Sequence, residues 1–247
     1  LPEHLDEALG VLRTLSKTES LDIHLCPLSW VEQFPKLWVF DVDSTLIFQE
    51  TIDELAALSD QKETVSKITQ EAMEGKLPFD QALVARLKLI EGTPVEALQQ
   101  VDESLKIRPE MEQLVNWVRN WGCQVAFVSG GFTFFVSRLA NKLRVPHYHA
   151  NELVLQKGKV TGEVSPPIVT GAEKAKFVDR LISKLNLKKK DVAVIGDGAN
   201  DRHMMSKAAV TVGYNPKPAL EPHVALVVRH SHILSILGIW QRSLVSG

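Results

Sequence analysis

At 247 residues the chain can build one sizeable core, or a main domain with an insert. Its composition, 45% hydrophobic and 23% charged, is ordinary for a soluble globular protein. A formal net charge of −2 and a pI of about 6.5 leave no global basic field, which argues against nucleic acid or an anionic membrane as partner.

The start, LPEHLDEALG, is too acidic and polar for a signal peptide, and it opens on Leu1 rather than Met, as a trimmed chain or a fragment would. Residues 1–36 are expected to hold a short helix, with Leu5, Leu9, Leu12 and Leu15 at helical spacing. A short strand should follow, with Leu21, Ile23 and Leu25 alternating with Asp22 and His24. One helix and one strand do not make a domain, so this segment must pack elsewhere or be what is left of something larger. Cys26 and Cys123 have no metal-ligand spacing and read as small buried hydrophobes, and a cytoplasmic location fits best. No apolar run reaches the roughly 18 residues of a membrane span.

Trp38-Val39-Phe40 reads as the first core strand, and it runs into Asp41 and Asp43. Positions i and i+2 of a strand face the same way, so two like charges should sit together at its mouth. Their repulsion calls for a positive partner. Residues 50–106 follow as a helical section, with breaks at Glu74-Gly75-Lys76-Leu77-Pro78 and Glu91-Gly92-Thr93-Pro94. The pattern then alternates: a helix near 110–120, a strand at 124–131, a helix at about 133–143, and a hairpin over 152–164 around Lys157-Gly158-Lys159. A helix at about 172–185, a strand at 191–198, another helix, VTVGY and then VALVV at 224–228 complete it. This order predicts an α/β fold with a doubly wound parallel sheet.

Three apolar strands end in polar residues: Asp41-Val42-Asp43, Ser129-Gly130-Gly131 and Gly196-Asp197-Gly198. Ligands of open α/β sheets bind at the carboxyl ends of the strands, so parallel strands gather these tips at one edge. Asp41, Asp43 and Asp197, with Asp201 one turn further on, form an oxygen-rich set without His or Cys that suits Mg²⁺. A lone Asp more often caps a helix; three that the topology unites do not read that way. Ser129 and the Gly130 backbone can face an anion. Lys174, alone, reads as a solvated lysine, but its charge would suit a phosphate oxygen. No Gly-x-x-x-x-Gly-Lys-Ser/Thr loop is present, which argues against that type of nucleotide site.

These residues carry a resemblance. Asp41-Val42-Asp43-Ser44-Thr45, then Ser129, Lys174 and Gly196-Asp197-Gly198-Ala199-Asn200-Asp201, resemble in order the four motifs of the haloacid dehalogenase superfamily. With DVDSTL, VSGGF, GDGAND and a helical insert after the first motif, the chain is most similar to the phosphoserine phosphatase branch, over about Leu37 to Ile239. The resemblance implies a core of residues 37–49 and 107–247 and a helical cap of 50–106. Residues 1–36 would be a remnant of a regulatory domain. It implies Asp41 as nucleophile and Asp43 as proton donor, then base. Mg²⁺ would lie on Asp41, the Asp43 carbonyl and Asp197, with Asp201 behind them. Ser129, Gly130, Lys174 and Asn200 would hold phosphate. Glu50 would read the ammonium and Arg86 the carboxylate of O-phospho-L-serine, under Met73 and Phe79. The implied activity is the last step of serine biosynthesis. Transfer of the phosphoryl group to another alcohol, such as homoserine, stays open, as does the choice between monomer and homodimer. A receiver domain that is merely phosphorylated fits less well, since receivers lack the Asp-x-Asp pair and the insert. Arg202-His203-Met204-Met205 departs from the family's more usual Leu-Pro-Met; a packing change is expected there, with His203 partly buried.

Overall fold

Leu37, Trp38, Val39 and Phe40 (β1) are wholly buried, as a central parallel strand covered on both faces must be. The computed structural model describes residues 10–240 except 13, 17 and 60, and of Met73 only the backbone. β1 pairs in parallel with β2 (Gln124–Phe132) on one side and β5 (Val192–Gly196) on the other. Beyond β2 lie β3 (His147–Gln156) and the antiparallel edge strand β4 (Lys159–Ser165); beyond β5 lie β6 (Val210–Tyr214) and β7 (Leu226–Val228). The order is β4-β3-β2-β1-β5-β6-β7, so the chain leaves β1 in one direction and later returns to its other side. That reversal opens a crevice at the carboxyl ends of β1 and β5.

Alternation along β1 divides the core. Trp38 and Phe40 pack with Met111, Leu114 and Val118 of α6 (Pro109–Asn120) and with Val136 and Leu139 of α7 (Thr133–Lys142). Leu37 and Val39 pack with Val178 and Leu181 of α8 (Gly171–Lys184) and with Met204 and Met205 of the helical turn α9 (Arg202–Met205). Met204 and Met205 are thus core, whereas His203 is exposed rather than partly buried. At the amino-terminal end of the strands, Phe34 touches Trp38, Trp117 and Trp240 at ring-centroid distances of 5.7, 5.7 and 5.1 Å, and Trp121 stacks on Trp117 at 4.8 Å.

Between β1 and α6 run four helices: α2 (Thr51–Ala57), α3 (Lys62–Met73), α4 (Phe79–Leu89) and α5 (Val95–Ser104). Their apolar faces (Ile52, Leu55, Val65, Leu83, Leu87, Leu98) meet Phe132, Phe135, Leu153 and Val160 of the sheet region. Two contacts seat them. The entry and exit strands run side by side, Phe48 N–H donating to Lys106 O at 3.1 Å. At the far end Gly92 N–H donates to Val160 O and Val160 N–H to Thr93 O, both at 2.8 Å, so the loop before α5 pairs with the hairpin. That hairpin turns on Lys157 and Gly158, both at positive φ (50° and 73°), where glycine avoids the steric cost.

Residues 21–25 differ from expectation. They form no strand: Leu21 and Leu25 are exposed, and a side chain, not a ladder, ties the segment to the end of β7. Asp22 accepts N–H bonds from Arg229, His230 and Ser231 after β7 (3.1, 3.1 and 2.8 Å). Before it, residues 10–12 and 14–16 are helical, with Leu15 exposed; Leu5 and Leu9 lie outside the described residues. A further short helix, α1 (Leu28–Val31), leads into β1. Cys26 and Cys123 are free thiols, only partly buried. Among the described residues no helix is long and apolar enough to cross a membrane.

Candidate active site

Asp41 continues the β1 ladder, its N–H donating to Ile195 O at 2.9 Å. The chain then turns tightly over Val42–Leu46, with Ser44 in the left-handed region (φ 58°). Asp43 therefore does not extend the strand. It reaches the same volume as Asp41 through the turn, not through strand alternation. Its carboxylate is fixed from two sides: Oδ1 accepts the Thr51 N–H at the start of α2, and Oδ2 accepts the Ser129 hydroxyl, each at 2.8 Å. Gly131 N–H donates to Ser129 Oγ at 2.7 Å. A Cβ on Gly131 would overlap Asp43 Oδ2, so the second glycine is what lets the acid approach this loop.

Lys174, which taken alone reads as a solvated lysine, is wholly buried, as a phosphate-site residue can be. Thr170 caps α8, accepting the Glu173 N–H at 3.4 Å, and the first turn delivers Lys174 inward. Its Nζ donates to Asp41 Oδ1 at 2.5 Å and to Asp201 Oδ1 at 2.7 Å. Burial works against its charge, but Asp201 and Asp41 overcome it and raise the lysine well above its ordinary value. Asp201 is fully committed, because its Oδ2 accepts the N–H groups of Asp197 (3.0 Å) and Gly198 (3.2 Å). Among the described residues the Asp197 carboxylate has only a long bond from the Thr45 hydroxyl, at 3.3 Å. Burial, with Asp201 beside it, pushes Asp197 up to about 7. Burial and Asp201 likewise hold Asp41 well above the usual carboxylate range, against the pull of Lys174.

One oxygen each from Asp41, Asp197 and Asp201 lies within 4.8 Å of the others. With Asp43 and Glu50 nearby, the acids outnumber the cations Lys174, Arg86 and Lys217 that act on them. Asp41 Oδ2 and the second oxygen of Asp197 have no protein donor among the described residues. Uncommitted hard oxygens in a buried excess of negative charge fit a divalent cation. Since both oxygens of Asp201 are taken by Lys174 and backbone, that residue orients the others.

Above this cluster lies a cavity lined by Asp41, Asp43, Gly130 and Asn200 from below and by Glu50, Phe79 and Arg86 from the helical insert. The Phe79 ring lies against Gly130, where any Cβ would overlap it. Glu50 Oε1 accepts the Ser44 hydroxyl at 2.6 Å, and burial, then Asp43 and Asp197, raise its carboxyl well above the usual range. Arg86 is buried, 5.8 Å from the Phe79 ring centroid. Asn200 Oδ1 is buried without a partner. Met73 belongs to α3, but its side chain lies outside what is described.

A family model described as haloacid dehalogenase-like hydrolase matches residues 38–206. The chain belongs to that family. It is 37% identical over 210 residues to phosphoserine phosphatase of Archaeoglobus fulgidus, covering 85% of this chain but only 61% of that relative's length. It is 34% identical to phosphoserine phosphatase of Methanocaldococcus jannaschii, covering 84% of this chain and 98% of that one. A solved structure of a phospho-aspartyl intermediate analogue of phosphoserine phosphatase superposes with a TM-score of 0.81 at 33% identity, over 85% of this chain and all of the other (100%).

The expected site residues of this haloacid dehalogenase-like chain come together: Asp41, Asp43, Gly130, Asn200, Glu50, Phe79 and Arg86 line the cavity, Ser129 and Lys174 bond to Asp43 and Asp41, and an oxygen each of Asp197 and Asp201 lies within 4.8 Å of one on Asp41. Sequence reasoning gave no part to Ser44, Thr45, Asn151 and Thr69. The first two stand inside the DVDSTL motif and could have been found there. Asn151 could not, as a single amide in a half-buried strand, yet it clamps the glycine loop. Its Nδ2 donates to Gly130 O at 2.8 Å while its Oδ1 accepts the Val169 N–H at 2.8 Å.

Proposed function

We propose that the chain is a Mg²⁺-dependent phosphatase that hydrolyses O-phospho-L-serine to L-serine and phosphate, the last step of serine biosynthesis, in the cytoplasm. The observation that carries the proposal is the single cavity walled by the acid–lysine cluster on one side and by Glu50, Phe79 and Arg86 on the other. It suits a ligand with a phosphate at one end and an amino acid at the other. In this reading residues 37–49 and 107–247 are the catalytic core and 50–106 the cap.

Asp41 Oδ attacks phosphorus in line with the serine oxygen, which leaves with a proton from Asp43. Asp43, now a carboxylate, takes a proton from water, and that oxygen attacks phosphorus of the Asp41 acyl phosphate, breaking its bond to Asp41 and freeing phosphate and the Asp41 carboxylate. Lys174 aligns Asp41 and favours its ionised form against burial and Asp201, and with the Ser129 hydroxyl, the Gly130 N–H and Asn200 it holds phosphoryl oxygens. Bound by Asp41, the Asp43 carbonyl and Asp197, Mg²⁺ would supply the charge neutralisation that lets one anion approach another. Glu50 takes the ammonium, Arg86 the carboxylate, and Phe79 excludes water.

The test is phosphate release with Mg²⁺ from O-phospho-L-serine, O-phospho-L-threonine and p-nitrophenyl phosphate. A strong preference for phosphoserine, abolished in Asp41→Asn, is expected. Equal rates on all three would sink the assignment of Glu50 and Arg86. With homoserine added, phosphate release that falls while serine release continues and phosphohomoserine forms would make the chain a transferase.

A further inference from the structure

Glu50 and Arg86 are opposite charges lining one cavity, yet they form no ion pair with each other among the described residues. Each is held by its own partner. Ser44 binds Glu50, while Arg86 is held from behind. Its Nε–H donates to Ala82 O at 3.2 Å, one turn earlier on α4, and Nη1 donates to the Thr69 hydroxyl of α3 at 3.0 Å. The Thr69 hydroxyl donates onward to Asp53 Oδ1 of α2 at 2.7 Å, and the other Asp53 oxygen accepts the Ser66 hydroxyl at 2.6 Å. Thr69 has one proton to give. Val65 O, at 3.0 Å, is the alternative acceptor, but the carboxylate is closer and charged. Three helices of the insert thus meet at one relay, Arg86 to Thr69 to Asp53. It uses two of the guanidinium's five N–H donors and leaves the rest to the cavity.

We propose that Asp53 and Thr69 are positioning residues that hold the Arg86 guanidinium away from Glu50 and aim it at the substrate carboxylate. Asp53, which does not line the cavity, thereby sets the preference for a phosphorylated amino acid over a phosphomonoester without a carboxylate. Released from Asp53, a buried guanidinium would turn to the nearest remaining acid, Glu50, and both readers of the substrate would be lost to each other. The inference rests on the phosphoserine reading above.

The experiment compares kcat/KM for O-phospho-L-serine with kcat/KM for O-phosphoethanolamine, which keeps the ammonium and lacks the carboxylate. The ratio cancels any loss common to both. Asp53→Asn and Thr69→Val should each lower it about tenfold, chiefly through KM for phosphoserine, the size of one charge-assisted hydrogen bond. In an Arg86→Lys background, Asp53→Asn should change the ratio by less than about twofold, because the group it positions is gone. Equal losses on both substrates in both variants would reduce the relay to cap packing and overturn the proposal. Should Asp53→Asn fail to fold, Thr69→Val alone decides. A wild-type ratio near one would instead overturn the phosphoserine reading, and it is seen before any variant is made.

Discussion

With the Lys174 ammonium gone, Asp41 and Asp201 would face each other across a buried gap with no protein cation between them. Lys174→Met should lower the stability of the metal-free protein by about 3–5 kcal/mol, measured by urea unfolding, and Lys174→Met/Asp201→Asn should recover part of it. Asp197 behaves in the opposite sense. Burial raises its folded value above the unfolded 3.8 to about 7, so the folded state binds the extra proton between those limits. The metal-free protein should therefore lose stability through this residue as pH rises from about 4 to 7, and Asp197→Asn should flatten that fall in thermal melts. Mg²⁺ should restore the loss in the wild type and not in the variant. Strand-end acids were legible at this scale because apolar strands running into Asp leave few other readings. The burial of Lys174 was not, since it depends on partners 133 and 27 residues away. Arg86 was half legible. Leu83, Leu87 and Leu89 around it spoke against a freely solvated face, but nothing nearby in sequence announced Thr69.

The helical insert is fastened at its linkers and at the hairpin, and between them Phe79 rests against Gly130 of the glycine loop. Gly130→Ala would place a methyl group inside that ring. We expect kcat/KM to fall at least about tenfold, with Phe79→Ala adding little on top, because the first change already displaces the ring. Helices and strands were legible to within a few residues wherever periodicity and turn chemistry agreed. The helix breaks at Gly75 and Gly92, both at positive φ, and the Lys157-Gly158 turn are examples. Alternation alone misled twice. Leu21, Ile23 and Leu25 alternate without a strand to pair with. The spacing of Asp41 and Asp43 suggested strand geometry where a tight turn with Ser44 at φ 58° does the work. A period of two describes a strand only when a neighbour supplies the ladder.

Across the whole molecule the sheet separates two environments. Its carboxyl edge carries ionisable groups and the cavity. Its amino edge carries Phe34, Trp38, Trp117, Trp121 and Trp240 in mutual contact. The order of strands was legible only as a class, because nothing in the sequence states that β5 returns beside β1 and not beyond β3. None of the five tryptophans, Trp30 included, lines the cavity. Intrinsic emission should thus follow unfolding of the sheet's amino edge and stay silent when substrate, phosphate or Mg²⁺ enters at the other. Titrations that show no spectral change would then say nothing about affinity. The molecule carries its optical reporter at the wrong pole, and a Phe79→Trp substitution would move one to the place where binding happens.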